Sequence, residues 1–253
     1  ASGMVAGARL FEETFGLSYN VSLWAGAAAT IIYVFIGGFL AVSWTDTVQA
    51  TLMIFALILA PVMVINSVGG FDSSLQLIQS LNPKYMDLFN GTTFVGIISL
   101  LAWGLGYMGQ PHILARFMAA ENYSTIKKAK WIGMTWMILC LIGALSIGFF
   151  GIAYFAQHPD LAGAVNANNE KIFISLTQIL FNPWVAGILL SAVLSAVMST
   201  LSCQLLVCSS ALTEDFYKTF FRPNASQNEL VWFGRMMVLF IAVVAIVIAM
   251  DKD

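Results

Sequence analysis

Charge is scarce in this sequence. Charged residues make up 9% of the 253 positions, against about 25% in an ordinary soluble domain. So few charges cannot cover the surface of a water-soluble fold of this length. The 11 basic and 13 acidic residues leave a net charge of −2, which provides no basic footprint for nucleic acid. Histidine occurs twice and cysteine three times. Cys140, Cys203 and Cys208 all stand inside apolar stretches, with neither a disulfide framework nor a metal-ligand spacing around them. No phosphate loop, nucleophile triad or metal cluster is seen, so an ATP-driven pump or a hydrolase finds no support. What is abundant is apolar: 59% hydrophobic residues and a mean hydropathy of +0.85. The composition is that of an all-α integral membrane protein.

A helix needs about 20 largely apolar residues to cross a bilayer. Runs of that kind lie at 21–43, 48–69, 93–111, 131–155, 184–212 and 231–250, with a partial one at 1–11. Lipid offers backbone groups no hydrogen-bond partner, so the runs are expected to be helices. Residues 1–253 are expected to form a single transmembrane domain. The opening Ala1-Ser2-Gly3-Met4 has no charged region of a signal peptide and reads as an apolar helix entered midway. The chain is therefore expected to be a segment of a larger protein.

Basic residues orient the spans. Arg116, Lys127, Lys128 and Lys130 share one loop, and Lys218, Arg222 and Arg235 another. Arg9, Lys84, Lys171 and Lys252 are dispersed. The positive-inside rule places the two clustered loops in the cytoplasm, with a short inner turn around Asp46. The outer segments 73–81 and 170–181 carry apolar positions at helical spacing. In the second, Ile172, Phe173, Leu176, Ile179 and Leu180 would share a face. Each reads as a helix resting on the bundle or as an outer gate.

Two spans carry candidate chemistry. The run Trp103-Gly104-Leu105-Gly106-Tyr107-Met108-Gly109-Gln110-Pro111 holds three glycines and a proline, which weaken a helix. Membrane proteins tolerate broken backbone where it lines a cavity, and transporters place substrates at such breaks. Trp103, Tyr107 and Pro111 would share one face if helicity persisted. The span 184–212 is rich in hydroxyls, and Ala196, Ser199 and Thr200 would lie together on one face. Two hydroxyls and a carbonyl make half a site for a monovalent cation. Close helix packing through small residues is the alternative reading of both patterns. Asp46 either caps the helix that follows it or meets cations on an inner pathway.

Trp44-Thr45-Asp46-Thr47-Val48-Gln49-Ala50, Gly104-Leu105-Gly106-Tyr107 through Gln110-Pro111-His112-Ile113-Leu114-Ala115-Arg116-Phe117-Met118, and Met198-Ser199-Thr200-Leu201-Ser202-Cys203-Gln204 resemble the sodium/solute symporter family, closest to its bacterial proline-carrying branch. The resemblance implies a LeuT-type inverted-repeat helical bundle, here incomplete and covering about core helices three to nine. It implies sodium-coupled symport of L-proline into the cell across a bacterial inner membrane, by alternating access and without enzymatic chemistry. It maps Ala196, Ser199 and Thr200 onto a sodium site and Trp103, Tyr107 and Pro111 onto a proline site. Asp46 falls at a position important for sodium-dependent function, on the inner side. The implied partners are L-proline, the co-transported sodium ion, membrane lipid and the remaining helices of a longer chain. A same-family symporter for another small solute, or a non-transporting membrane sensor or scaffold on this fold, stays open at this point.

Overall fold

The structure, a computed structural model, describes residues 2–87 and 89–251, with the side chains of Ser2 and Trp103 outside that description. Among the described residues every regular element is helical. The helices are α1 (Ser2–Phe15), α2 (Tyr19–Val68), α3 (Phe71–Leu81), α4 (Phe94–Ala102), α5 (Pro111–Met118), α6 (Tyr123–Gln157), α7 (Gly163–Ala167), α8 (Ile172–Leu180), α9 (Pro183–Ser210) and α10 (Gln227–Ala249). Four helical stretches, Tyr19–Val68, Tyr123–Gln157, Pro183–Phe221 and Gln227–Ala249, are long and apolar enough to cross a membrane. Asparagine and serine start several of these helices. Asn122 accepts from the Thr125 amide at 2.9 Å, Asn182 from those of Trp184 and Val185, and Ser226 from that of Glu229. Each satisfies amides that the first helical turn leaves without a partner.

The spans expected at 21–43 and 48–69 form one helical element, α2. Residues 44–47 are helical, and the non-helical residue is Gly38, at φ 56° and ψ −148°. Side chains carrying a Cβ rarely adopt that conformation, and glycine adopts it freely. Asp46 therefore stands inside helix and cannot serve as an N-cap. The apolar stretch Phe94–Gly109 is shorter than a crossing helix, because the three glycines and Pro111 end regular α-geometry at Ala102.

The chain divides into two compact units, one of Ala1–Thr51 with Ser191–Asp253 and one of Leu52–Leu190. In the second, the C-terminal part of α2, α3, α6 and α8 enclose a core around Val64, Ile78, Ala153 and Leu176, each essentially inaccessible. Both outer segments read from the sequence as resting helices pack on this core: Ile78 of α3 and Leu176 of α8 are fully buried, with Ile172, Phe173 and Leu180 against them. Ile179 of the same segment is exposed. Gly143 of α6 lies so close to α2 that an added Cβ would fall 2.1 Å from the Leu57 carbonyl oxygen.

The first unit packs α1, the N-terminal part of α2, the C-terminal part of α9 and α10. Met4, Leu23, Leu201, Leu205 and Ile246 form one buried cluster, and Val34, Val42, Cys203 and Val238 another. Tyr19 donates its hydroxyl to the Ala249 carbonyl at 2.7 Å, which serves one of the acceptors exposed at the end of α10. Beyond α9 the helix widens into π-geometry over Ala211–Phe221. The Arg222 amide accordingly donates five residues back, to the Tyr217 carbonyl. The turn into α10 is closed by Tyr217, which donates to Glu229 at 2.9 Å and stacks on Phe233 at 3.8 Å. Arg222 pairs with the same carboxylate at 3.3 Å.

Candidate functional site

Residues 191–210 of α9 keep α-helical geometry, so residues three and four apart share a face. The Ser199 hydroxyl donates to the Ala196 carbonyl at 3.1 Å and the Thr200 hydroxyl donates to the same carbonyl at 3.2 Å. The structure thus gathers the three oxygens that the spacing predicts would lie together. Each hydroxyl oxygen keeps lone pairs after donating its proton, so the group offers neutral oxygen ligands of the kind hard cations take. Ser199 is half-buried and Thr200 is exposed. Among the described residues no group of three or more His, Cys, Asp or Glu side chains could hold a metal ion.

Asp46 reaches the same part of α9. Its Oδ2 accepts from the Cys203 thiol at 3.4 Å, one helical turn beyond Thr200. Of the two readings open from the sequence, the N-cap is corrected, because residues on both sides of Asp46 are helical. The side chain faces the hydroxyl-bearing helix instead. Composition alone marks Cys203 only as an unpaired cysteine, and the structure shows it buried.

Two further side chains of α2 belong to this surface and carry no sequence signal of their own. The Tyr33 hydroxyl donates to the Met198 carbonyl at 3.2 Å. Asp46, Gln49, Ser202 and Cys203 are neighbours of that phenol. In sequence, Tyr33 is one aromatic within an apolar run, and nothing local distinguishes it from core.

The segment 103–111 is built differently. Trp103–Gly109 forms a 3-10 helix, Gln110 is extended at φ −90° and ψ 109°, and Pro111 opens α5. A 3-10 helix has three residues per turn, so positions 103 and 107 point about 120° apart. The single face expected for Trp103, Tyr107 and Pro111 required an α-helix that does not persist. The break itself falls where the glycines and proline stand. Tyr107 and Pro111 are exposed, and the Trp103 side chain lies outside the described residues. Added Cβ atoms at Gly104, Gly106 or Gly109 would meet nothing within 4 Å.

The profile of the sodium:solute symporter family matches residues 1–253. A sodium/proline symporter of Escherichia coli is 70% identical over 253 residues, covering 100% of this chain and 50% of that protein. One of Salmonella typhimurium is 69% identical with the same coverage. A high-affinity proline transporter of Bacillus subtilis is 49% identical over all of this chain and 53% of its own length. The chain spans about half the length of the curated relatives it matches. Among solved structures, a sodium-coupled sialic acid symporter in a substrate-bound outward-open state superposes with a TM-score of 0.78 at 19% identity, over 98% of this chain and 54% of that one. That likeness shows the fold: a helical bundle of the LeuT class, of which these residues form part. The helices and the family together make this a multi-pass membrane protein.

Proposed function

The chain belongs to the sodium:solute symporter family, and from that premise we propose that it is the central part of a sodium-coupled L-proline symporter of a bacterial inner membrane. The observation that carries this reading is the 69–70% identity, along every residue, to proteins named as sodium/proline symporters. Sodium moves down its gradient and draws proline inward. Each positive charge moved inward gains about 2.3 kcal/mol per 100 mV of membrane potential. No covalent bond is made or broken.

In this reading Ala196, Ser199 and Thr200 supply oxygens to the sodium ion. Neutral oxygens bind a monovalent cation firmly enough to load it and weakly enough to release it. Asp46, against Cys203 one turn further on, contributes negative potential near the inner end of the ion's path. The broken stretch at 103–111 frees backbone N–H and C=O groups for the zwitterionic ends of proline. Trp103, Tyr107 and Pro111 offer apolar surface to the pyrrolidine ring. Coupling follows when ion and substrate both stabilise the same conformation.

The test is uptake of labelled proline into proteoliposomes that contain a chain of the relatives' full length carrying these residues. An inward sodium gradient is expected to drive proline accumulation above its external concentration. Equal accumulation with potassium replacing sodium overturns sodium coupling. Sodium-driven accumulation of other solutes in a panel, with none of proline, overturns the substrate.

A further inference from the structure

We infer that Tyr33 is a positioning residue of the proposed sodium site, holding the turn of α9 that carries Ser199 and Thr200 through the Met198 carbonyl. The inference rests on the sodium reading of Ala196, Ser199 and Thr200. Tyr33 and Asp46 are thirteen residues apart on α2, which in unbroken helix is about 20 Å. Their contacts on α9, Met198 and Cys203, are five residues apart, or about 7.5 Å along that helix.

The non-helical geometry at Gly38 lies between them, and both arms of the broken helix reach α9 within five residues of each other. Val34 from one arm and Val42 from the other accordingly share a buried cluster with Cys203. Tyr33 and Asp46 thus clasp α9 on either side of Ser199 and Thr200 in sequence.

The Met198 carbonyl has two lone pairs and can accept from Tyr33 while also serving its own helix. A second bond to that carbonyl resists rotation and sliding of the residue immediately before Ser199. Binding sites gain affinity when their ligands are held within about 0.5 Å by outer hydrogen bonds. Neutral oxygens gain most from this, because they bring no net charge to offset misplacement. Ser202 steadies the same turn: its hydroxyl donates to the Ser199 carbonyl at 2.9 Å. Tyr33 touches neither the ion's proposed ligand atoms nor the 103–111 segment in any hydrogen bond described above. Its effect should therefore fall on sodium and spare proline binding once sodium is saturating.

Tyr33→Phe keeps the ring and removes only the donor. Three quantities are measured in proteoliposomes at equal protein content: the sodium concentration for half-maximal proline uptake, the proline KM at saturating sodium, and the maximal rate. The half-saturating sodium concentration is expected to rise about five-fold, the size of one net hydrogen bond, with the proline KM unchanged. Replacing Tyr33 with para-aminophenylalanine, which restores a donor at the same place, is expected to return it toward the wild-type value. Ser199→Ala is the parallel control. If Ser199→Ala shifts the sodium requirement and Tyr33→Phe does not, the positioning role is overturned and the sodium reading stands. If neither shifts it, the sodium reading itself fails and the inference with it. A Tyr33→Phe variant that raises the proline KM as much as the sodium requirement marks a general packing role and overturns the inference.

Discussion

Residues 191–210 hold α-helical geometry throughout, whereas residues 94–118 pass from α-helix to 3-10 helix to an extended residue and back to α-helix. The first stretch is fixed by neighbours. Leu201, Ser202, Cys203 and Leu205 are buried in its unit, and Tyr33 and Asp46 bond to its backbone and side chains. The second buries no residue of α4 or α5 and carries three glycines at which an added side chain would meet nothing. Regular helix thus gathers the Ser199 and Thr200 hydroxyls on the Ala196 carbonyl, the set proposed to meet the ion. Broken helix leaves backbone N–H and C=O groups outside the α-helical ladder, the groups that the proposed proline site would use. The difference teaches that spacing alone predicts a shared face only where packing keeps the helix regular.

The largest expected effect falls on the regular stretch. The double substitution Ser199→Ala with Thr200→Ala removes two of the three gathered oxygens. A hydrogen-bonding group facing a charge is worth about 1.5–3 kcal/mol, so the sodium requirement should rise roughly ten-fold or more. Proline uptake against sodium concentration, with protein level in the membrane checked in parallel, measures it. An unchanged requirement in the double variant removes these residues from an ion site and erases the contrast between the two stretches.

Next come paired glycine substitutions. Gly143→Ala forces a Cβ to within 2.1 Å of the Leu57 carbonyl oxygen, backbone that cannot rotate away. Overpacking of this kind costs about 1–3 kcal/mol, seen as a lowered thermal midpoint of the detergent-solubilised protein. Gly106→Ala meets nothing within 4 Å and should leave that midpoint unlowered. Its effect belongs to function: alanine favours helix over glycine by about 1 kcal/mol, which opposes the break and should weaken proline binding. Equal midpoints for the two variants would show that Gly143 is not a packing contact.

The smallest effect is expected from the aromatics of the broken stretch. Trp103→Ala and Tyr107→Ala should each weaken proline binding at saturating sodium. Ring contacts contribute about 0.5–1.5 kcal/mol beyond area burial, a few-fold to roughly ten-fold in affinity. Equilibrium binding of labelled proline reads this directly. Wild-type affinity in both variants would leave the broken backbone without its proposed apolar wall.

Much of the fold was legible from residue types. Apolar runs of membrane length become helices because lipid leaves their backbone no other partners. The convergence of Ser199 and Thr200 on Ala196 was legible for a local reason: three- and four-residue spacing maps onto one face of any intact helix. At Trp103, Tyr107 and Pro111 the condition of that rule, a persisting α-helix, is not met, and the glycines and proline that end it stand in the same segment. At α2, Asp46 drew the expected turn to itself because a charge inside an apolar run looks like a boundary. The departure from helix fell at Gly38, the residue whose backbone can take a positive φ.

By itself, then, the order of residues determined membrane residence, helical content and the hydroxyl set on α9, since each depends on neighbours within about one helical turn or on composition. Only the tertiary structure decided that Asp46 meets the Cys203 thiol, that Tyr33 holds the Met198 carbonyl, and that Gly143 admits the Leu57 backbone. Met198 stands 165 residues from Tyr33 and Cys203 stands 157 from Asp46. Contacts at such separations arise from how helices pack, and no local pattern records which side chains that packing brings within a hydrogen bond of each other.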